Sequence, residues 1–453
     1  MKKLIVGALV TGLFGLTSCG TGQKNAPAQV SYAQQMIESH GLGDFYCNRS
    51  YHDSLCTVMW DYVSGLVANA VLQAWTLYPQ HEEYYQAVKA FADNSTNAEG
   101  TEITNAKGQN ALRPSNIDDL PAGNVYFALY EEEMKRGHEQ EALRYKNAAT
   151  LIRQKLKFDH ERIAQGLPGE GGFFHKAIYP NQMWLDGLFM GSPIYARWQH
   201  YFGEESDNES WSDIAHQFKT IHRYTYDADK QLNYHAWSAT PEDANSFWAR
   251  REEPFKGCSR EFWGRGMGWY FAALVDVLEF MPRQHADFPA VHDILQQVAA
   301  GLKRWQDAES GVWFQLLQYD ATKCADGVGD NVDGTLYNIG SQPNYLEASC
   351  SGIFTYAYLK GIRLGLLDEA VYLPVAEKAY KGLLQQFIRP REDGKIDIVQ
   401  TCASAGLGPA KDPSRTGTAN YYLAGKDVTV VENEGKAVGT FIMASVEWER
   451  RQQ

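Results

Sequence analysis

An all-α fold, an (α/α)6 barrel of six helical hairpins, is predicted by three features of the 453-residue sequence. Helical segments of two kinds alternate along it. One kind is amphipathic, as suits an outer ring with one face in water; the other is apolar around most of its circumference and must be buried on several sides. The alternation repeats six times. Strand signals are few, the clearest being Val312 to Tyr319.

The chain opens with Lys2 and Lys3, an apolar run from Leu4 to Leu16, and then Leu16-Thr17-Ser18-Cys19. Charge, apolar length and small residues before a cysteine together read as a lipoprotein signal over residues 1–18, with lipidation of Cys19. Residues 19–27 form a short polar tether. The protein is then expected to face the periplasm or the surface of a bacterial cell envelope, touching membrane only through the lipid.

Residues 28–453 read as a single barrel domain. Its outer helices are expected near 27–39, 81–97, 138–157, 207–226, 287–307 and 370–388. Val291, Ile294, Leu295, Val298, Leu302 and Trp305 trace one apolar stripe, and Trp211, Ile214, Phe218 and Ile221 another. The inner helices are expected near 58–78, 116–134, 185–203, 260–281, 345–367 and 435–449. Pro193 lacks the N–H a continuous third inner helix would use, so a kink or restart is expected near Gly191. Two long segments without periodicity, 238–259 and 320–344, read as functional loops. In the second, Asp326, Asp330, Asn331 and Asp333 lack the spacing of a helix-loop-helix calcium site and read as solvated.

Lys and Arg number 42 against 55 Asp and Glu, a net charge of −13, which argues against nucleic acid and against attraction to anionic lipid. An anionic substrate would need a local cluster of cations. With 12 Trp and 26 Tyr, carbohydrate is a natural ligand, because sugar faces pack on flat rings. Apart from Cys19, the cysteines show no CxxC pair and no spacing typical of a metal site, and no cofactor is expected. Cys47 and Cys56 are close enough in sequence to bridge in an oxidising compartment; the others are as easily buried thiols.

The stretch from Gly171 to Tyr195 crowds aromatic rings, His175, Lys176 and Asp186 between two turn signals. Glycines 169, 171 and 172 and Tyr179-Pro180 place His175 and Lys176 on an irregular loop. The helical spacing of Leu188, Phe189, Ile194 and Trp198 puts Asp186 in the first turn of a helix, where an inward carboxylate faces the cavity. Similar residues lead the other inner helices: Trp60 and Tyr62; Asn116, Asp118 and Asp119; Trp263, Arg265 and Trp269; Tyr345 and Glu347; Asn433 and Lys436. All should converge at one end of the barrel. The plainer readings are helix caps for Asp118 and Asp119, a core histidine for His235, and an Arg265–Glu261 pair at helical spacing.

An ordered set of motifs runs through nearly the whole chain: WDYVSGLV at 60–67, NIDDLPAG at 116–123, HKAIYPNQMWLDGLFM at 175–190, YHAW at 234–237, EFWGRGMGW at 261–269, NYLEAS at 344–349 and VVENEGKAVGTF at 430–441. The set resembles the unsaturated glycuronyl hydrolases, most of all the unsaturated rhamnogalacturonyl hydrolases of glycoside hydrolase family 105, related to family 88. The resemblance implies a general acid at Asp186 and a second active-site carboxylate at Asp118. It also implies contact with the unsaturated sugar at Tyr62, His175, Lys176, Trp184, His235, Arg265 and Trp269. Phe174 and Ser238 stand where the family leads one to expect a Trp and an acidic residue, and both long loops exceed its usual length.

Family membership would imply hydrolysis of an acidic oligosaccharide left by a lyase, with a C4=C5 double bond in its terminal uronic acid. Protonation at C4 gives an oxocarbenium-like centre at C5, water adds there, and the hemiketal opens to release the aglycone. An acid that protonates carbon must keep its proton near neutral pH, which the rings of Trp184 and Trp269 and the charge of Asp118 would favour. Two other readings use the same residues: a conventional inverting glycosidase on the same barrel, and a non-catalytic glycan-binding lipoprotein.

Overall fold

The computed structural model describes residues 31–40 and 60–453. The signal, the tether, Cys19, Cys47 and Cys56 lie outside the described residues. Helices come in the order α1 (Tyr32–His40), α2 (Tyr62–Leu77), α3 (Glu82–Ser95), α4 (Val125–Lys135), α5 (Glu139–Gln154), α6 (Leu185–Phe202) and α7 (Asn208–Thr225). They continue as α8 (Gly264–Phe280), α9 (Phe288–Arg304), α10 (Ala348–Arg363), α11 (Glu369–Gln386), a short α12 (Ala419–Ala424) and α13 (Gly435–Arg450). The inner ring is α2, α4, α6, α8, α10 and α13, each packed on the next, and α13 closes against α2. The helices α3, α5, α7, α9 and α11 each lie outside the inner helix before them, while α1 covers α13. This is the (α/α)6 barrel.

The two helix classes follow from which faces are covered. In α9 the stripe Val291, Ile294, Leu295, Val298 and Leu302 is buried against the inner ring. In α8 every residue from Gly264 to Leu278 is buried, Arg265 and Asp276 included. Withdrawing a Val, Leu, Ile, Phe or Met side chain from water is worth about 1.5–3 kcal/mol, so a helix covered on all sides tolerates polar residues only where partners await them. Gly65 shows how close the approach is: a Cβ there would sit 2.3 Å from Ala122 Cα, which only glycine avoids.

Several local expectations are corrected. Residues 116–134 are not one helix; two 3-10 turns, Ile117–Asp119 and Pro121–Asn124, precede α4. Pro121 has no N–H to continue an α-helix across this point. Conversely, α6 runs unbroken from Leu185 to Phe202 through Pro193, and its packing absorbs the loss of the bond Phe189 C=O would otherwise accept. Gly191 is not a break either, since Ile117 packs directly against it.

Val312–Tyr319 forms only isolated bridges, Phe314 with Leu346 and Leu316 with Trp263, which tie together the entries to α8 and α10. The 320–344 segment holds an antiparallel hairpin, Asp330–Val332 with Thr335–Tyr337. Asp330 is not simply solvated: its Oδ2 accepts hydrogen bonds from Asn338, Thr416 and Thr418. Among the described residues, no helix is long and apolar enough to cross a membrane.

Candidate active site

The N-terminal ends of the inner helices converge on Asp118 and Asp186. A short antiparallel ladder, Gln182–Trp184 with Ala236–Ser238, leads into α6 and continues through the Leu185 N–H, which donates to His235 C=O at 2.9 Å. This brings His235 beside Asp186, in the first turn of α6 as expected. His235 Nε2 lies 2.9 Å from Asp186 Oδ2, and its Nδ1 lies 2.6 Å from the Tyr422 hydroxyl. Asp186 is 8 % exposed and His235 not at all. Gly266 keeps this corner open, since a Cβ there would stand 3.2 Å from His235 Cδ2.

Asp118 reaches the same corner from the first 3-10 turn. Neither Asp118 nor Asp119 caps a helix. Asp119 is turned inward to accept from Arg113 and Asn116, whereas Asp118 faces Lys176, with Nζ 2.5 Å from Oδ2. The turn is held by Trp60 Nε1, which donates to Asp119 C=O at 2.8 Å. The loop carrying His175 and Lys176 is irregular, as expected, and is pinned alongside by bridging of Asn116 with Lys176. Burial works against charge on Asp118, but Lys176 above all, joined in acid by His175, holds the carboxyl below the ordinary range, so it is ionised at neutral pH. Burial pushes His175 down to about 4 despite the pull of Asp118, so its ring is neutral there.

Among the remaining candidates, Trp184 stacks on His175 at 4.3 Å between centroids and lies edge-on to His235 at 5.4 Å. Trp269 packs on Phe189 at 4.6 Å, with the Tyr62 ring edge-on at 6.4 Å. At 4 % and 1 % exposure the two indoles form walls rather than open platforms. Arg265 is also buried: its Nη1 donates to Cys402 C=O at 2.6 Å and Ser349 Oγ at 3.1 Å and stands 3.8 Å from Glu347, so Glu347, not Glu261, is its ion partner. No group of three or more His, Cys, Asp or Glu side chains is gathered for a metal ion among the described residues.

Two residues here, Tyr422 and Arg415, escaped the sequence reading, and a third, Glu261, was read only as a partner for Arg265. Tyr422 meets His235 across 187 positions, a contact no local pattern signals. Arg415 is paired with Asp427 and lies against Gly406, beside Trp184. Glu261 accepts a hydrogen bond from Gln318, and burial pushes its carboxyl up to about 7. Glu261 did have a signal, as an acid inside the otherwise apolar EFW entry to an inner helix.

A buried carboxyl facing an imidazole, with a second carboxylate held ionised at the same mouth of a helical barrel, is an arrangement of the kind glycosidases use. The sequence agrees: residues 45–326 and 331–452 match the model of Glycosyl Hydrolase Family 88, and the chain belongs to that family. This bears out the resemblance to the unsaturated glycuronyl hydrolases. A glycoside hydrolase from family 105 of C. acetobutylicum ATCC 824 superposes with a TM-score of 0.74 at 32% identity, covering 93% of this chain and 100% of the other. A 24.9 kDa protein in the picA locus of Rhizobium radiobacter is 31% identical over 57% of this chain and 97% of its own length. The unsaturated rhamnogalacturonyl hydrolase YesR of Bacillus subtilis is 22% identical over 78% of this chain and 81% of its own.

Proposed function

We propose that this glycoside hydrolase removes the terminal 4,5-unsaturated uronic acid from lyase-generated oligosaccharides of rhamnogalacturonan type, the class named for the B. subtilis relative. The observation that carries the reading is the division of labour between two carboxyls. Asp118, ionised beside Lys176, has no proton to give at neutral pH. The family resemblance puts the donor at Asp186, which is buried and bonded to an imidazole. Asp186 gives its proton to C4 of the enol ether and C5 takes up the positive charge. Water adds at C5 and returns a proton to Asp186; the hemiketal then opens, and the hemiacetal left at C1 expels the aglycone alcohol. Asp118 orients the water or the sugar hydroxyls. Arg265, its Nη1 anchored, holds the uronate with its remaining nitrogens, with help from Lys176 or His235.

The test uses Asp186→Asn, which keeps shape but removes the proton. General acid catalysis is typically worth about a hundred- to ten-thousand-fold, and a loss of that size is expected while the variant still binds an unsaturated disaccharide by calorimetry. Wild type should bleach the double-bond absorbance and leave saturated analogues untouched. Turnover of a saturated glycuronide at a comparable rate would favour the conventional inverting glycosidase. Binding by the wild type without any bleaching would leave the glycan-binding lipoprotein.

The basic start, apolar run and Cys19 support the further proposal that the enzyme is lipid-anchored in the cell envelope. The intact mass of membrane-extracted protein should show a lipidated Cys19 at its N-terminus.

A further inference from the structure

Tyr422 stands apart from the motifs, on the short helix α12, yet reaches the centre of the site. It is fully buried, and its hydroxyl has one hydrogen-bond partner among the described residues, His235 Nδ1 at 2.6 Å. Burial raises the phenol well above its ordinary range, so it stays protonated. A buried hydroxyl with a single partner directs its hydrogen to that partner, because an unpaired buried O–H is costly. Nδ1 must then be the acceptor, and the ring proton must sit on Nε2, pointing at Asp186 Oδ2. In the other tautomer a protonated Asp186 would point its O–H at Nε2, away from any substrate.

We infer that Tyr422 is a positioning residue for the acid: by donating to His235 it fixes the Nε2–H tautomer, occupies Asp186 Oδ2 as an acceptor, and reserves Oδ1 as the oxygen that carries the transferable proton. The inference rests on the reading of Asp186 as proton donor.

Tyr422 is itself held on several sides. Its ring stacks with Trp263 at 6.0 Å, and its carbonyl accepts from Gln315 Nε2 at 3.3 Å. Thr418 caps α12 by accepting from the Tyr421 N–H. Thr416 and Thr418 each donate to Asp330 Oδ2 at 2.7 Å, and Asn420 reaches Asp330 Oδ1 at 3.3 Å. The long 320–344 loop thus clamps the helix that orients the acid, although it contributes no side chain to the acid itself.

Tyr422→Phe removes one oxygen and keeps the ring. Loss of the orienting hydrogen bond behind a metal-bound imidazole typically costs about ten- to a hundredfold, and the same scale is expected here. The variant should lose that much in kcat on an unsaturated disaccharide, with KM within about twofold and the melting temperature nearly kept. A structural role alone would not move the second readout, the nitrogen-15 spectrum of His235, assigned with His235→Gln. In wild type, Nε2 should appear protonated and Nδ1 as an acceptor, and in Tyr422→Phe this assignment should blur or reverse. A kcat within twofold of wild type, or a wild-type spectrum with the proton on Nδ1, overturns the inference. If Tyr422→Phe does not fold, the wild-type spectrum decides alone. If wild type leaves the unsaturated disaccharide intact, the proposed reaction falls, while the spectrum still decides the tautomer.

Discussion

The two ends of α8 carry glutamates that settle in opposite states. Glu261, just before its first turn, is 8 % exposed and bonded to the Gln318 amide, and burial lifts its carboxyl to about 7. Glu279, in its last turn, is also desolvated, but Lys360 Nζ lies 2.8 Å away and holds it below the ordinary range. The push from burial has the same sign at both ends; one buried ammonium reverses the outcome.

The contrast extends around the barrel. At the far end a cavity of about 260 Å³ is lined by Glu131, Glu279 and Glu447 together with Arg197, Lys360 and Arg363. Lys360 meets both Asp276 and Glu279, and Arg363 grips Glu447 through two bonds of 2.7 and 2.8 Å. At the site end two buried carboxyls are left to an amide and an imidazole, Glu261 with Gln318 and Asp186 with His235. Helix dipoles favour carboxylates at one end and cations at the other, so charge at helix ends does not by itself identify a site. What separates Glu261 and Asp186 from Glu279 and Glu447 is whether a lysine or arginine sits against the acid.

The far end can be stripped of its central cation by one substitution. Lys360→Met strands Asp276 and Glu279, and removing one partner of a buried pair costs about 3–5 kcal/mol. Urea denaturation should show that loss, while kcat per folded molecule stays that of wild type. A loss below about 1 kcal/mol would mean that these charges are not what holds the far end together.

Glu261→Gln should act at the other end with a smaller, pH-dependent effect. Because its folded pKa, about 7, lies above the ordinary 4.5, the folded state binds the extra proton. Its contribution is therefore full below about 4.5 and lost as pH rises through about 7. The shift corresponds to about 3 kcal/mol at most. His175, pushed down to about 4, gives the opposite slope, losing its contribution as pH falls from 6.5 toward 4. That slope is common to wild type and variant and cancels in their difference. Denaturation at pH 5 and pH 8 should thus show Glu261→Gln gaining relative to wild type at the higher pH, and a difference flat with pH would refute the assignment.

The barrel was legible because burial on one side or on all sides leaves a direct trace in helical periodicity, as in α9 and α8. Asp186 at the start of α6 was legible for the same reason, since the apolar spacing after it marks the helix start. Asp118 was found on the right turn, but its 3-10 geometry depends on Pro121 and on the Trp60 anchor, and the Lys176 pairing on a loop from elsewhere in the chain. Arg265 illustrates the limit: its motif was plain, whereas its partners Cys402 and Glu347 come from segments that only the closed ring brings near. Tyr422 lies beyond pattern altogether, because a contact across 187 positions has no period. The hairpin at 330–337 was missed because its half-exposed strands, Asp330–Val332 and Thr335–Tyr337, are three residues each, too short for an alternation to show.

The seam of the ring has a consequence for how the enzyme is made. The Glu449 carboxylate, on α13, takes hydrogen bonds from Ser31 Oγ and the Ala33 N–H at the start of α1, and from Tyr78 beyond the end of α2. During synthesis the flanks of α2 and α10 that α13 covers should therefore stay bare until α13 leaves the ribosome. Lys436 can join the residues gathered at the mouth only then. Catalytic competence should appear in a single late step of translation, and a nascent chain stalled before α13 should present the bare flanks of α2 and α10 to chaperones.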